Sequence, residues 1–193
     1  MEHLLALTAF AFVTTVTPGP NNMMLMSSGA NFGLRRTLPH LGGIMLGVAV
    51  MVMVLGSGVA IALHQAPRAE TALRIAAMGY ILWLAWKIAH SAAPDGSKGR
   101  ARPLNLLEAA LFQWLNPKAW AMALGALGAY AAAVGGVPVV AAIFAAVGPV
   151  AMIPWIVAGQ KIGRFLTSPR RLRLFNWTMA GLLVASMLPV LFL

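Results

Sequence analysis

Charged side chains along this chain fall in bands separated by long apolar runs. No residue between His3 and Arg35 is charged, and none between Arg36 and Arg68. An α-helix needs about 20 mostly apolar residues to cross a hydrocarbon core roughly 30 Å thick. On that measure the runs predict six membrane-spanning helices, at about 4–27, 41–63, 69–90, 109–133, 137–159 and 174–193. Arg74 falls inside the third span but near one end, within snorkelling reach of the interface. The predicted fold is therefore an all-α integral membrane protein, one transmembrane domain over residues 1–193.

Two of these runs are interrupted by polar residues in their interiors. The first carries "TPGPNN" (Thr17–Asn22) and the fourth carries "QWLNPKAW" (Gln113–Trp120). Pro18 and Pro20 have no N–H to donate, and Gly19 relaxes the backbone restriction between them. Carbonyls of the preceding turn lose their partners there. A new half-helix can start at Pro20, because proline suits a first turn. Its free N–H groups and the positive end of its dipole would attract a carboxylate, and Asn21 and Asn22 add amide donors and acceptors. In the fourth run, Gln113, Asn116 and Pro117 lead to Lys118, about ten residues into the span and so roughly 13–15 Å deep. An ammonium at that depth costs about 2.5–3.5 kcal/mol on insertion scales. The acidic residues are Glu2, Glu70, Asp95 and Glu108, none of them in the interior of a span. The compensation for Lys118 is therefore expected from freed backbone carbonyls or from a substrate carboxylate. A plain proline kink, with Lys118 near the headgroups, is the rival structural reading of the same residues.

The interrupted runs open the first and second halves of the chain, 1–90 and 106–193, joined by the Gly-, Pro- and charge-rich stretch Ser91–Asn105. Three spans per half is an odd number, so the second half enters the bilayer from the opposite side. This is the inverted-repeat plan of many secondary transporters. Pro149 and Pro154 in "VGPVAMIPW" (Val147–Trp155) interrupt the fifth run less completely and are candidate gate positions.

Composition agrees: 60% of residues are hydrophobic and 9% charged, too little polar material to coat a water-facing surface of this size. The net charge of +10 would ordinarily raise nucleic acid as a partner. The placement of the charges argues against it. Eleven of the basic residues lie in connectors 1, 3 and 5, two (Arg68 and Arg74) lie on the opposite side, and the last is Lys118. By the positive-inside rule the odd-numbered connectors, including the loop at 91–105, are cytoplasmic and both termini are not. The aromatic run Tyr80, Trp83, Trp86 beside Lys87 fits a cytoplasmic-side belt. The stretch Gly163–Phe175 mixes apolar and basic residues and reads either as an interfacial segment on the anionic leaflet or as an ordinary basic loop. The N-terminus has no basic stretch, so the first span is expected to be retained rather than cleaved. With no cysteine, thiolate chemistry and Cys-type metal sites are excluded. Glycines in span 2 and the methionine clusters read as packing. His40 and His64 bracket span 2; a passive interfacial position is the plainer reading and a proton relay the sharper one.

Pro18-Gly19-Pro20 in the first span and Asn116-Pro117-Lys118-Ala119 in the fourth resemble the hallmark motifs of the lysine exporter type of amino-acid exporters. The likeness covers essentially the whole chain. "TPGPNN", "YILWLAWKIAHS" (Tyr80–Ser91) and the end of span 5 are most similar to the cysteine/O-acetylserine exporter branch. The resemblance implies efflux of amino acids or their derivatives across the bacterial inner membrane, driven by the proton gradient, with no cofactor. Glu108 opens span 4 where a small residue is usual in that family, which makes it a candidate gate or coupling site. A passive channel, an exporter of another solute or ion, and an intramembrane enzyme are the alternatives. No span carries a catalytic or metal-ligating cluster. The expected partners are an amino acid, protons and the bilayer, with a homo-oligomer left open.

Overall fold

The computed structural model describes residues 1–59, 67–90 and 102–186. Seven α-helices make up these residues: α1 (Glu2–Val16), α2 (Pro20–Val54, extended by a π-turn at Leu55–Val59), α3 (Pro67–Ala89), α4 (Leu106–Phe112, followed by a 3-10 turn at Gln113–Leu115), α5 (Pro117–Val134), α6 (Val137–Phe165) and α7 (Pro169–Ala185). The stretch Ser91–Asn105 lies largely outside the described residues, as do His64 and the end of the sixth predicted span.

The first predicted span is α1 plus the start of α2, and the fourth is α4 plus α5. Both are broken where the prolines stand. Thr17 is extended (φ −63°, ψ 146°), Gly19 is fully extended, and α2 restarts with Pro20 in its first turn. Asn116 is extended (φ −98°, ψ 102°), and Pro117 opens α5.

The connector between the first two predicted spans takes an unexpected form. α2 has 35 residues, which at about 1.5 Å each exceeds one crossing. The chain turns inside it at Gly33 (φ 79°, ψ 170°), a left-handed conformation that only glycine adopts at little cost. Side chains hold the turn closed. Thr37 donates its hydroxyl to the Gly33 carbonyl at 2.9 Å and shares a 2.8 Å hydroxyl contact with Ser28 across the turn. Gln160 of α6 accepts the Leu34 N–H at 3.3 Å, and Asn31 donates to Asn176 of α7 at 3.1 Å.

α2 is the central helix, and its widest contact is with α6. Glycines let the two backbones touch. A Cβ at Gly29 would strike the Ile156 carbonyl, one at Gly159 the Met26 carbonyl, and one at Gly163 would lie 2.5 Å from the Ala30 carbonyl. Gly43 and Gly47 repeat the device against Leu106 and Ala110 of α4. Without a hydrophobic drive between helices in lipid, such close backbone packing supplies the association energy. The core between these helices holds Leu25, Ile44, Met51, Phe112 and Ile156.

The outer surface is apolar in return. Leu5, Ile75, Trp86, Val150, Phe165 and Leu174 are each at least 60% exposed. α2 with its π-turn and α6 are each long and apolar enough to cross a bilayer. Gly163–Phe175 is not a separate surface helix: α6 runs to Phe165, and Ser168 caps the start of α7 by accepting the Arg171 N–H at 3.3 Å.

Candidate functional site

The two helix breaks meet. Lys118 lies in the first turn of α5 and sends its ammonium across to the end of α1. Its Nζ donates to the Thr17 carbonyl at 2.6 Å, the Thr17 hydroxyl at 2.9 Å and the Pro18 carbonyl at 3.2 Å. Gly19 leaves room for the lysine stem to lie against the backbone.

This contact follows from what each break leaves unsatisfied. A helix end exposes its last four carbonyls, and neither Pro18 nor Pro20 has an N–H to offer them. The end of α1 meets that deficit with side chains. The Thr17 N–H reaches the Val13 carbonyl at 3.2 Å, and the Thr17 hydroxyl reaches that of Thr14 at 2.9 Å. Asn22 donates its amide to the Thr15 carbonyl at 2.9 Å and the Thr17 carbonyl at 2.7 Å, and the Trp155 indole donates to the Val16 carbonyl at 3.0 Å. Lys118 completes the set. At its own end, Asn116 caps α5 by accepting the Lys118 N–H at 3.2 Å. A cation at a helix start opposes the dipole; the ring of carbonyls opposite supplies the compensation.

A reciprocal amide pair ties the breaks together. Asn21 donates to the Gln113 side-chain carbonyl at 2.8 Å, and Gln113 donates back to that of Asn21 at 3.1 Å and to the Ala109 carbonyl at 2.9 Å. Asn21, Asn22, Gln113 and Asn116 are all buried. Thr17 and Pro18 are exposed, so the cluster is open on that side.

Next to Lys118 lies a narrow cavity of about 20 Å³, lined by Thr15, Asn21, Asn22, Asn116, Met122, Phe144 and Gly148 among others. That is room for roughly one water. An amino acid needs the surrounding helices to part. The Thr15 hydroxyl oxygen and the Asn22 side-chain carbonyl oxygen beside it are buried without hydrogen-bond partners. Each such group costs about 1–3 kcal/mol, which marks the cavity as a place for polar atoms.

Nine of the residues singled out in the sequence therefore come together: Pro18, Gly19, Pro20, Asn21, Asn22, Gln113, Asn116, Pro117 and Lys118. The other three do not join them. Pro149 follows the wall residue Gly148 and Pro154 precedes Trp155, but neither lines the cavity. Glu108 is bound elsewhere. Its carboxylate accepts two hydrogen bonds from Arg102, at 2.6 and 2.7 Å, and closes a capping box with Asn105. The Arg102 guanidinium holds this carboxyl down at about 2. Among the described residues, no group of His, Asp or Glu is placed to hold a metal. Thr17, Thr15 and Trp155 belong to the site without having been singled out. Trp155 carried a signal: an indole N–H inside an apolar run needs an acceptor.

Comparison with known proteins shows which family the chain belongs to. Three bacterial cysteine/O-acetylserine efflux proteins are similar to the chain. That of Klebsiella pneumoniae is 32% identical over 184 residues, covering 93% of this chain and 92% of its own. That of Escherichia coli K12 is 31% identical and that of Salmonella paratyphi A 33% identical, each over 83% of this chain and 84% of the relative. No solved structure matches. The family model described as LysE type translocator matches residues 12–190, and with relatives this similar over most of its length the chain belongs to that family, as a multi-pass inner-membrane transporter.

Proposed function

We propose that the chain exports amino acids or amino-acid derivatives with short polar side chains, by alternating access and at the expense of the proton gradient. The observation that carries this is the Lys118 ammonium seated on the Thr17 and Pro18 carbonyls, between two interrupted helices. Such a seat holds an ammonium, and the lysine that fills it is itself a partner for a carboxylate. A zwitterion offers both groups. Its α-ammonium takes the Thr17 and Pro18 carbonyls as Lys118 swings off them. Its carboxylate is then held between Lys118 and the first N–H groups of α2, at Asn21 and Asn22. The family and the names of the relatives support amino-acid efflux, and cysteine and O-acetylserine are the first substrates to test.

The cavity is too narrow for this occupant, so binding requires motion between the half that contains α1 and the half that contains α5. The Asn21–Gln113 pair is one polar contact between the halves that such motion breaks, beside those of Lys118 and Trp155 with the end of α1. In this reading the two breaks belong to inverted repeats that rock about the cavity, with the termini on the non-cytoplasmic side and the basic connectors on the cytoplasmic side. The proton carrier is Lys118 itself or a titrating group of the substrate.

Efflux from preloaded proteoliposomes tests the reading. Wild type transports and accelerates when a proton gradient is imposed. Lys118→Ala is expected to lose about a hundredfold in maximal rate, the order of loss when a positioned group is misplaced. Lys118→Arg keeps the charge but not the compact three-donor head and is expected to be strongly impaired. If both variants transport like wild type, the assignment of Lys118 is wrong. If wild-type flux ignores the gradient, the protein is a passive channel.

A further inference from the structure

A second cavity lies farther along α2, and the export reading makes no use of it. It measures about 380 Å³, against about 20 Å³ beside Lys118. That falls within the roughly 300–1,000 Å³ of small-molecule sites. Ser27, Ser28 and His40 of α2 line it, with Lys87 of α3, His90 just after α3 and Arg102 ahead of α4.

His40 is the telling residue. It is 2% exposed, and neither ring nitrogen has a hydrogen-bond partner. An imidazole has at least one donor and one acceptor to satisfy, and leaving each buried costs about 1–3 kcal/mol. A phenylalanine or leucine would fill the same volume without that cost. His40 forms part of the cavity wall, which makes a polar occupant there a candidate partner for its ring nitrogens.

The two cavities lie along the same helix. Asn21 and Asn22 line the inner one, and Met24, Ser27 and Ser28, in the next turns of α2, line the outer one. Two cations stand in the lining of the outer cavity, Lys87 with its ammonium 5.0 Å from the Trp83 ring and Arg102, whose ion pair with Glu108 an incoming carboxylate would have to displace.

We infer that this cavity is a second binding site, which holds the same small amino acid before it reaches Lys118. The carboxylate faces the Lys87–Arg102 side, and the hydrogen-bonding end of the side chain meets His40 and Ser27. The inference rests on the export reading and deepens it.

Two measurements test it. In proteoliposomes, with the common amino acids and O-acetyl-L-serine as the panel, His40→Phe is expected to raise KM for the transported amino acid about fivefold while the maximal rate stays within about twofold. His40→Gln, which retains a donor and an acceptor, is expected to stay near wild type. Separately, detergent-purified Lys118→Ala protein is expected still to bind that labelled amino acid. Binding disappears in Lys118→Ala/His40→Phe and survives in Lys118→Ala/His40→Gln. An unchanged KM in His40→Phe overturns the second site, as does absence of binding by Lys118→Ala in a protein whose wild type transports. Loss of gradient dependence at constant KM also overturns it and makes His40 a proton carrier instead. A wild type that transports no member of the panel sinks the export reading, and this inference with it.

Discussion

Gly19 shows how the site constrains a residue that makes no hydrogen bond through a side chain. Its backbone is extended, so the conformation itself admits any residue. What excludes a larger one is Lys118: a Cβ at position 19 would lie 2.7 Å from the lysine Cδ and 3.1 Å from Nζ. Gly19→Ala is therefore expected to fold, because the obstacle is a flexible side chain, yet to displace the ammonium from the Thr17 and Pro18 carbonyls. Transport should fall about tenfold or more with the thermal midpoint in detergent little changed, since misplacing a positioned group costs rate before it costs stability. Glu108 makes a contrasting residue-scale case. Its folded carboxyl is held at about 2, below the ordinary 4.5, first by the Arg102 hydrogen bonds and then by the Asn105 N–H. A lowered carboxyl contributes stability that is complete above about 4.5 and is lost as pH falls toward 2. Wild-type protein should lose thermal stability across that window, and Glu108→Gln should start lower and show a flatter profile. Both residues stand out in the sequence. Pro18-Gly19-Pro20 can be read because a missing N–H has only a few structural outcomes. Glu108 is a candidate gate or coupling site from the sequence, and Asn105-Leu106-Leu107-Glu108 also has the spacing of a capping box, with its Arg102 partner three residues before that box.

At the scale of elements, the interrupted helices were legible and the manner of their joining was not. Arg35-Arg36 announced the first connector, yet the chain makes it with a single left-handed glycine inside α2. That economy depends on Thr37, which closes the turn locally, and on Gln160 and Asn176, which reach it from far along the chain. Trp155 likewise caps the end of α1 from α6, a pairing that no local pattern reveals. The glycines of span 2 read as packing, and the structure gives Gly43 and Gly47 their partners on α4; Gly159 and Gly163, four apart, likewise present one face of α6 to Met26 and Ala30 of α2. A methyl group at Gly159 would have to displace the Met26 carbonyl, which is backbone and does not yield like a side chain. Gly159→Ala is expected to cost about 1–3 kcal/mol, the range for overpacked interiors. It should appear as a lower thermal midpoint and reduced monodisperse yield. Gly181→Ala, where a Cβ meets nothing within 4 Å, serves as the neutral control.

At the scale of the whole molecule, the charge pattern and the packing lead independently to the same grouping of connectors. Charge alone put connectors 1, 3 and 5 on one side. In the fold, Gln160 near the end of α6 reaches Leu34, His90 just past α3 meets Trp177 of α7 edge-on at 5.6 Å, and one cavity brings Phe32, Lys87 and Arg102 together. The residues on either side of these connectors are thus neighbours at one end. At the other, Gly56 approaches Val137 and Phe10 of α1 meets Tyr130 near the end of α5 at 5.7 Å. Apolar helices that cross a slab alternately must gather odd and even connectors at opposite ends, so the contacts support the arrangement that the basic residues indicate. The absolute direction still depends on charge, and the absence of cysteine makes it directly measurable. Single cysteines at Glu2, Arg35 and Arg170 each add the one thiol in the chain. In intact cells a membrane-impermeant maleimide is expected to label the Glu2→Cys protein, and to label Arg35→Cys and Arg170→Cys only after the membrane is opened. Labelling of Arg35→Cys from outside would invert the protein. The antechamber lined by His40 would then face away from the cytoplasm, and a solute moving along α2 toward Lys118 would be travelling inward.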